Sequence, residues 1–232
     1  MVTKGNVVCD VGCDHGFVPV YLVESGISPK VIAMDINEGP LEAAREHIRE
    51  SGLADYIEAR LSNGLEALRP AEAETVICAG MGGRLVIKIL EEGRGKLADV
   101  KELILQPQSE LQNVRAYLRE NGYRIVEENM ILEDGKYYPM MRVCRTGSEQ
   151  MAGTVWEDKY GPILLKMGHP VLEEYLHREI AIYEQILAKL RENGNGQQTR
   201  IEEMMEKRKT AQTALSYFPS YQPYARGCAF LS

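Results

Sequence analysis

Three short glycine-bearing segments of this chain have compositions and spacings that could do chemistry, two of them with charged or amide side chains beside the glycine. The first is Asp10-Val11-Gly12-Cys13-Asp14-His15-Gly16, an apolar run that ends in a glycine-rich turn. Such a turn, opening a helix, lets backbone approach a ligand and aims N–H groups at it. The glycines here do not follow the G-x-G-x-x-G spacing that cradles a pyrophosphate, and acidic neighbours would repel one. Asp10 and Asp14 suit a cation instead. S-adenosylmethionine (SAM), with its sulfonium and α-ammonium charges, fits that requirement, and its amino-acid end would lie beside them. Capping of the following helix is the alternative role for both aspartates.

Asp35 follows Val31-Ile32-Ala33-Met34, about 20 residues beyond the glycine turn, where an acidic residue in a nucleotide-binding sheet accepts from both ribose hydroxyls. Asn63, in Ser62-Asn63-Gly64-Leu65, is of a type to meet the exocyclic amine of adenine, or else a turn residue that tolerates left-handed backbone. The third segment, Ala79-Gly80-Met81-Gly82-Gly83, offers backbone groups and one flexible Met but no side chain able to act as a base. That suits a nucleophile needing no deprotonation before attack, such as the N1 lone pair of adenine. Catalysis there would rest on in-line placement of nitrogen, methyl carbon and sulfur, with proton loss after transfer. A tight packing turn would give the same glycines. Downstream, Arg84, Lys88, Arg94, Lys96 and Lys101 form a weak basic cluster, either a solvated face or a phosphate contact.

The elements that must carry these segments follow from hydrophobic pattern. Runs at Val7 to Val11, Val31 to Asp35, Tyr56 to Leu61, Thr75 to Ala79 and Leu103 to Gln106 are short and almost continuously apolar, as expected of strands covered on both faces. Amphipathic stretches at Phe17 to Glu24, Pro40 to Ser51, Gly83 to Glu92 and Leu111 to Asn121 alternate with them, predicting βαβ units and a mostly parallel sheet. Tyr123 to Leu132 and Lys136 to Cys144, joined through an Asp-Gly connection, predict an antiparallel hairpin. Five parallel strands closed by a hairpin predict an α/β, Rossmann-like, seven-stranded sheet of the kind used by SAM-dependent methyltransferases, in contrast to the all-parallel dinucleotide fold.

Beyond Thr146 the pattern becomes helical. Leu172, Leu176, Ile180, Tyr183, Leu187 and Leu190 form one apolar stripe; Ile201, Met204, Met205, Ala211 and Leu215 form a second, with a Gly-Asn breaker at 193–196 between them. The expected organisation is a catalytic domain over 1–150, a coiled-coil-like helical hairpin over 151–218 and a loose tail over 219–232.

Composition narrows the class. The chain has 232 residues, 44% of them apolar, and 34 acidic against 27 basic side chains, a formal charge of −7 that argues against indiscriminate polyanion binding. No run reaches the roughly 18–20 apolar residues of a membrane span, and the first residues lack the apolar core of a signal peptide, so a cytoplasmic protein is expected. Five scattered cysteines without zinc spacing predict neither a metal site nor a disulfide framework.

DVGCDHG at 10–16, MDINEGP at 34–40, SNGL at 62–65, AGMGG at 79–83, LILQPQ at 103–108 and YGPILL at 160–165 together resemble the bacterial tRNA adenine(22)-N1 methyltransferase family. The resemblance implies a class I methyltransferase domain with a coiled-coil-like helical domain, using SAM to make N1-methyladenosine in tRNA. It implies that Gly12, Cys13, Asp14, His15 and Gly16 line the cofactor, and that Asp35, with Ile36 and Asn37, holds its ribose end. Ser62, Asn63, Gly64 and Ala79 would border the cofactor further along, and Gly80, Met81, Gly82 and Gly83 would face the target base. The family usually has Asp where this chain has Asn63, and a helical segment ahead of the first strand, which begins here after only a few residues. A small-molecule methyltransferase and a non-catalytic SAM- or RNA-binding module are the other readings the motifs permit.

Overall fold

A computed structural model describes residues 1–145, 153–192 and 197–218. The chain divides into two compact units, the first spanning Met1–Thr154 and the second beginning at Val155.

The first unit is a seven-stranded sheet. Its strands are β1 (Val8–Val11), β2 (Val31–Asp35), β3 (Ile57–Leu61), β4 (Thr75–Met81), β5 (Glu102–Pro107), β6 (Tyr123–Glu133) and β7 (Lys136–Arg145). They lie in the order β3-β2-β1-β4-β5-β7-β6, with β1 to β5 parallel and β7 antiparallel to both neighbours. Helices α1 (Phe17–Glu24), α2 (Glu38–Glu50), α3 (Gly83–Glu92) and α4 (Leu111–Glu120) connect the strands. Their positions match the expected elements to within two residues, and Pro40 sits in the first turn of α2, where a missing N–H costs nothing. The β6–β7 connection is Asp134-Gly135, both with positive φ, the two-residue turn whose twist matches a hairpin.

Alternate strand residues feed two cores. Cys9, Val11, Ile32, Met34, Val76, Cys78, Leu103 and Leu105 pack with α3 and α4. Val8, Val31, Ala33, Ile77 and Ile104 pack with Val20, Leu22, Leu41, Ala44 and Ile48 of α1 and α2. Because both faces are covered, the strands read as unbroken apolar runs.

Beneath the sheet, at the N-terminal ends of its strands, buried Glu102 collects the Thr3 N–H and hydroxyl, each at 2.8 Å, the Thr75 hydroxyl at 2.8 Å and the Asn6 amide. These bonds hold the carboxyl below its usual range, against the opposing effect of burial.

The second unit contains α5 (Val155–Tyr160), α6 (Pro162–Lys166), α7 (Pro170–Glu192) and α8 (Gln198–Leu215). The expected stripe on α7 is buried at Leu172, Leu176, Leu187 and Leu190. On α8 the buried set is Ala211, Ala214 and Leu215, whereas Met205 is 42% exposed. Met204 and Met205 are about 100° apart on a helix, so only one can face the partner. Glu179 accepts from the Tyr160 hydroxyl, the Tyr183 hydroxyl and Lys159, tying α5 to α7. The breaker at 193–196 and the tail at 219–232 lie outside the described residues. Among those described, no helix is long and apolar enough to cross a membrane.

Candidate functional site

In a parallel sheet the ligand crevice forms beyond the carboxyl ends of the strands, where the chain order reverses. Here that point lies between β1 and β4, so the glycine turns after these two strands flank it, with the turn after β3 on the far side of β2. The turn after β1 is anchored by Gly12 and Cys13 N–H groups donating to Met34 O at 2.8 and 2.9 Å. Asp10 is buried beneath it, and burial, helped by the neighbouring Asp35 carboxylate, pushes its carboxyl up to about 7. Gly16 is the N-cap of α1, with no side-chain capping bond, so neither Asp10 nor Asp14 is used as a cap. Asp14 instead lies 3.6 Å from the exposed His15 ring.

Asp35, 8% exposed, is aimed by two backbone donors: Asp14 N–H reaches one carboxylate oxygen at 3.2 Å and Asn37 N–H the other at 2.9 Å. Each oxygen keeps a second lone pair for a ribose hydroxyl. Next to it, Ile36 is 60% exposed and offers an apolar face. Ser62 N–H donates to Asp35 O at 2.8 Å, which fixes the turn after β3 beside the end of β2. The Ser62 hydroxyl, however, is used within that turn, donating to Gly64 O and accepting from Ala67 N–H. Asn63 donates to Glu66 at 3.0 Å, leaving its amide oxygen as an acceptor. The left-handed backbone in this turn belongs to Gly64, so Asn63 is not there to tolerate it.

The strand-4 loop carries a bulge. Ala79 pairs with Gln106 and Met81 with Pro107, while Gly80, at φ 73°, has no register partner on β5. Met81 reaches back toward β1: a methyl group at Gly12 would lie 3.2 Å from its terminal carbon. The carbonyls of this loop are less free than its composition suggests. Met81 O accepts from Gln108 N–H, Gly82 O accepts from Leu85 and Val86 N–H, and Gly83 already belongs to α3.

Two further side chains stand at these turns with no motif to mark them. His47, on α2, contacts His15 O through Nδ1 at 3.1 Å and packs its ring 4.8 Å from that of Phe17, which is 67% exposed. Gln106, paired with Ala79 on β4, turns its side-chain oxygen to Gly80, accepting from its N–H at 2.8 Å. The basic cluster is consumed internally: Arg84 pairs with Glu110, Lys88 with Glu92 and Lys101 with Glu74, Arg94 bonds Asn121, and Lys96 bonds Leu68 O. The buried thiols Cys13 and Cys78 are pushed up to about 12, chiefly by burial, and stay protonated. Among the described residues, no group of three or more His, Cys, Asp or Glu side chains could hold a metal ion.

Comparison with known proteins bears on the family and the fold. Residues 8–211 match the family described as tRNA (adenine(22)-N(1))-methyltransferase. A Bacillus subtilis protein of that name is 34% identical over 198 residues, covering 80% of this chain and 81% of the relative. The Streptococcus pneumoniae Sp1610 structure in complex with SAM superposes with a TM-score of 0.82 at 34% identity, over 93% of this chain and 94% of that one. The B. subtilis m1A22 tRNA methyltransferase structure gives 0.79 at 27% identity, over 92% and 94%.

Proposed function

The chain belongs to the tRNA (adenine(22)-N(1))-methyltransferase family, and from that membership we propose how its residues transfer a methyl group from SAM to N1 of an adenine in tRNA. The donor occupies the crevice over Asp10 and Asp35; the base enters over the Gly80–Gly83 loop. Bound there, SAM supplies an electrophilic methyl whose transfer forms the N1–C bond as the S–C bond breaks, the electron pair leaving on sulfur.

Asp10 and Asp14 set a negative field for the donor's cationic end, and Asp35 holds its ribose through the lone pairs left by its two backbone donors. The loop needs no general base, since the ring nitrogen attacks with an available pair. The charge that leaves the sulfonium reappears on the methylated ring, where a backbone carbonyl can stabilise it as it develops. The Met81 and Gly82 carbonyls of this loop each accept backbone N–H groups, which fix their direction, and a carbonyl has a second lone pair for that work. The target base must be unstacked before N1 is reachable, at a cost of a few kcal/mol. We assign tRNA docking to the helical unit and the reaction to the cytoplasm.

The observation that carries this reading is the meeting of Met81 with Gly12, which sets an acidic donor crevice directly against a loop with no titratable side chain. Purified protein incubated with methyl-labelled SAM and unmodified tRNA should deliver label to N1 of one adenine. SAM binding without transfer would make the chain a binding module, and transfer to a small molecule but not to tRNA would move the substrate.

A further inference from the structure

The segment that follows β5 grips the strand-4 loop at three successive points. Gln106 Oε1 accepts from Gly80 N–H at 2.8 Å, Gln108 N–H donates to Met81 O at 2.9 Å, and Ser109 Oγ accepts from Gly83 N–H at 3.4 Å. Gly80 is skipped in the β4–β5 register, and at this bulge its N–H is met by the Gln106 side chain. With the oxygen committed to an N–H donor, the amide can be oriented only one way. Its nitrogen, Nε2, is then buried with no hydrogen-bond partner among the described residues. A buried donor left unpaired costs about 1–3 kcal/mol, so a partner is expected from outside the chain.

Strand order says on which side that partner sits. β5 borders β4 on the side away from β1, whereas the donor crevice is built by the turns after β1, β2 and β3. Gln106 is therefore one strand removed from the SAM side. We propose that Gln106 is a positioning residue for methyl transfer: its oxygen fixes the Gly80 bulge, and its nitrogen donates to an acceptor atom of the incoming target nucleotide. The proposal rests on the tRNA methyltransferase reading and adds to it a residue that acts on the acceptor rather than the donor.

Gln106→Met keeps length and removes both polar atoms. It should lower kcat on unmodified tRNA by about tenfold or more while SAM affinity by calorimetry stays within about threefold. A kcat within about twofold of the unmodified chain overturns the proposal, as does a parallel loss of SAM affinity, which would leave Gln106 a purely structural role. A second measurement needs no variant. In 15N-labelled protein the Gln106 side-chain amide resonances should shift on adding unmodified tRNA and stay in place on adding S-adenosylhomocysteine alone; resonances indifferent to RNA overturn the donor role. If the unmodified chain itself fails to methylate tRNA, the broader reading falls; an active chain with an indifferent Gln106→Met variant sinks only this assignment.

Discussion

Asp35 and Asp10 sit side by side yet answer to different physics. Asp35 is fixed by Asp14 and Asn37 N–H groups, so Asp35→Ala removes the acceptor for a ribose and leaves two backbone donors unpaired. SAM affinity should fall by about 1–3 kcal/mol, and unchanged affinity by calorimetry would displace the ribose from this carboxylate. Asp10 is held at about 7 against an ordinary 3.8, chiefly by burial. Folding therefore takes up a proton between those values, and the stability that Asp10 contributes to the ligand-free protein falls as pH rises through that window. Affinity for a cationic donor runs the opposite way, because only the ionised carboxylate attracts it. SAM should bind about tenfold more tightly near pH 8 than near pH 6, and Asp10→Asn should flatten the profile. Both residues are legible in the sequence because Asp10 interrupts an apolar run just ahead of the glycine turn and Asp35 ends one about 20 residues beyond it. Gln106 is not, since its task arises from a bulge on a neighbouring strand some 26 residues earlier in the chain. His47 is hidden likewise: helical spacing places it on α2 but cannot bring it to the carbonyl of His15.

At the level of elements, the strands were readable because burial on both faces removes the period-two alternation and leaves continuous apolar runs. The loops were readable only as composition. Gly83 shows the difference: the motif identifies a glycine, whereas the fold supplies the reason, since a Cβ there would lie 2.5 Å from Ser109 O and 3.0 Å from Val114. The backbone of the segment after β5 cannot retreat without loosening its grip on the acceptor loop. Gly83→Ala should destabilise the protein by about 1–3 kcal/mol in denaturant melts, with kcat reduced alongside. Wild-type stability in that variant would mean that the α3 start is not pressed against this segment. Helices α5 and α6 leave no periodic signal in the sequence for another reason. They have 6 and 5 residues, too short to display a helical period, and Gly161 and Pro162 read as a break between them. Tyr160 begins the YGPILL motif without disclosing its purpose; burial and the adjoining Glu179 carboxylate keep its phenol protonated, as a permanent donor in the α5–α7 tie.

A whole molecule of charge −7 must recruit a polyanion through local features, and the two units offer different ones. In the catalytic unit each basic residue of the cluster from Arg84 to Lys101 has an internal partner that a phosphate would have to displace. In the helical unit, α8 carries Lys207, Arg208 and Lys209 in succession; Lys207 and Lys209 are exposed and form no ion pair among the described residues. If the helical unit docks tRNA, these lysines can meet phosphates without first breaking a bridge. Each phosphate neutralised releases condensed counterions, so the slope of log affinity against log salt measures how many are engaged, about 0.7–0.9 per contact. The double change Lys207→Gln with Lys209→Gln should raise KM for tRNA and flatten that slope by about 1–2, leaving SAM affinity as it was. Arg84→Gln should alter neither. The reverse pattern, with Arg84 controlling the salt dependence and the α8 lysines silent, would place the RNA path over the sheet and leave the helical hairpin a role other than docking.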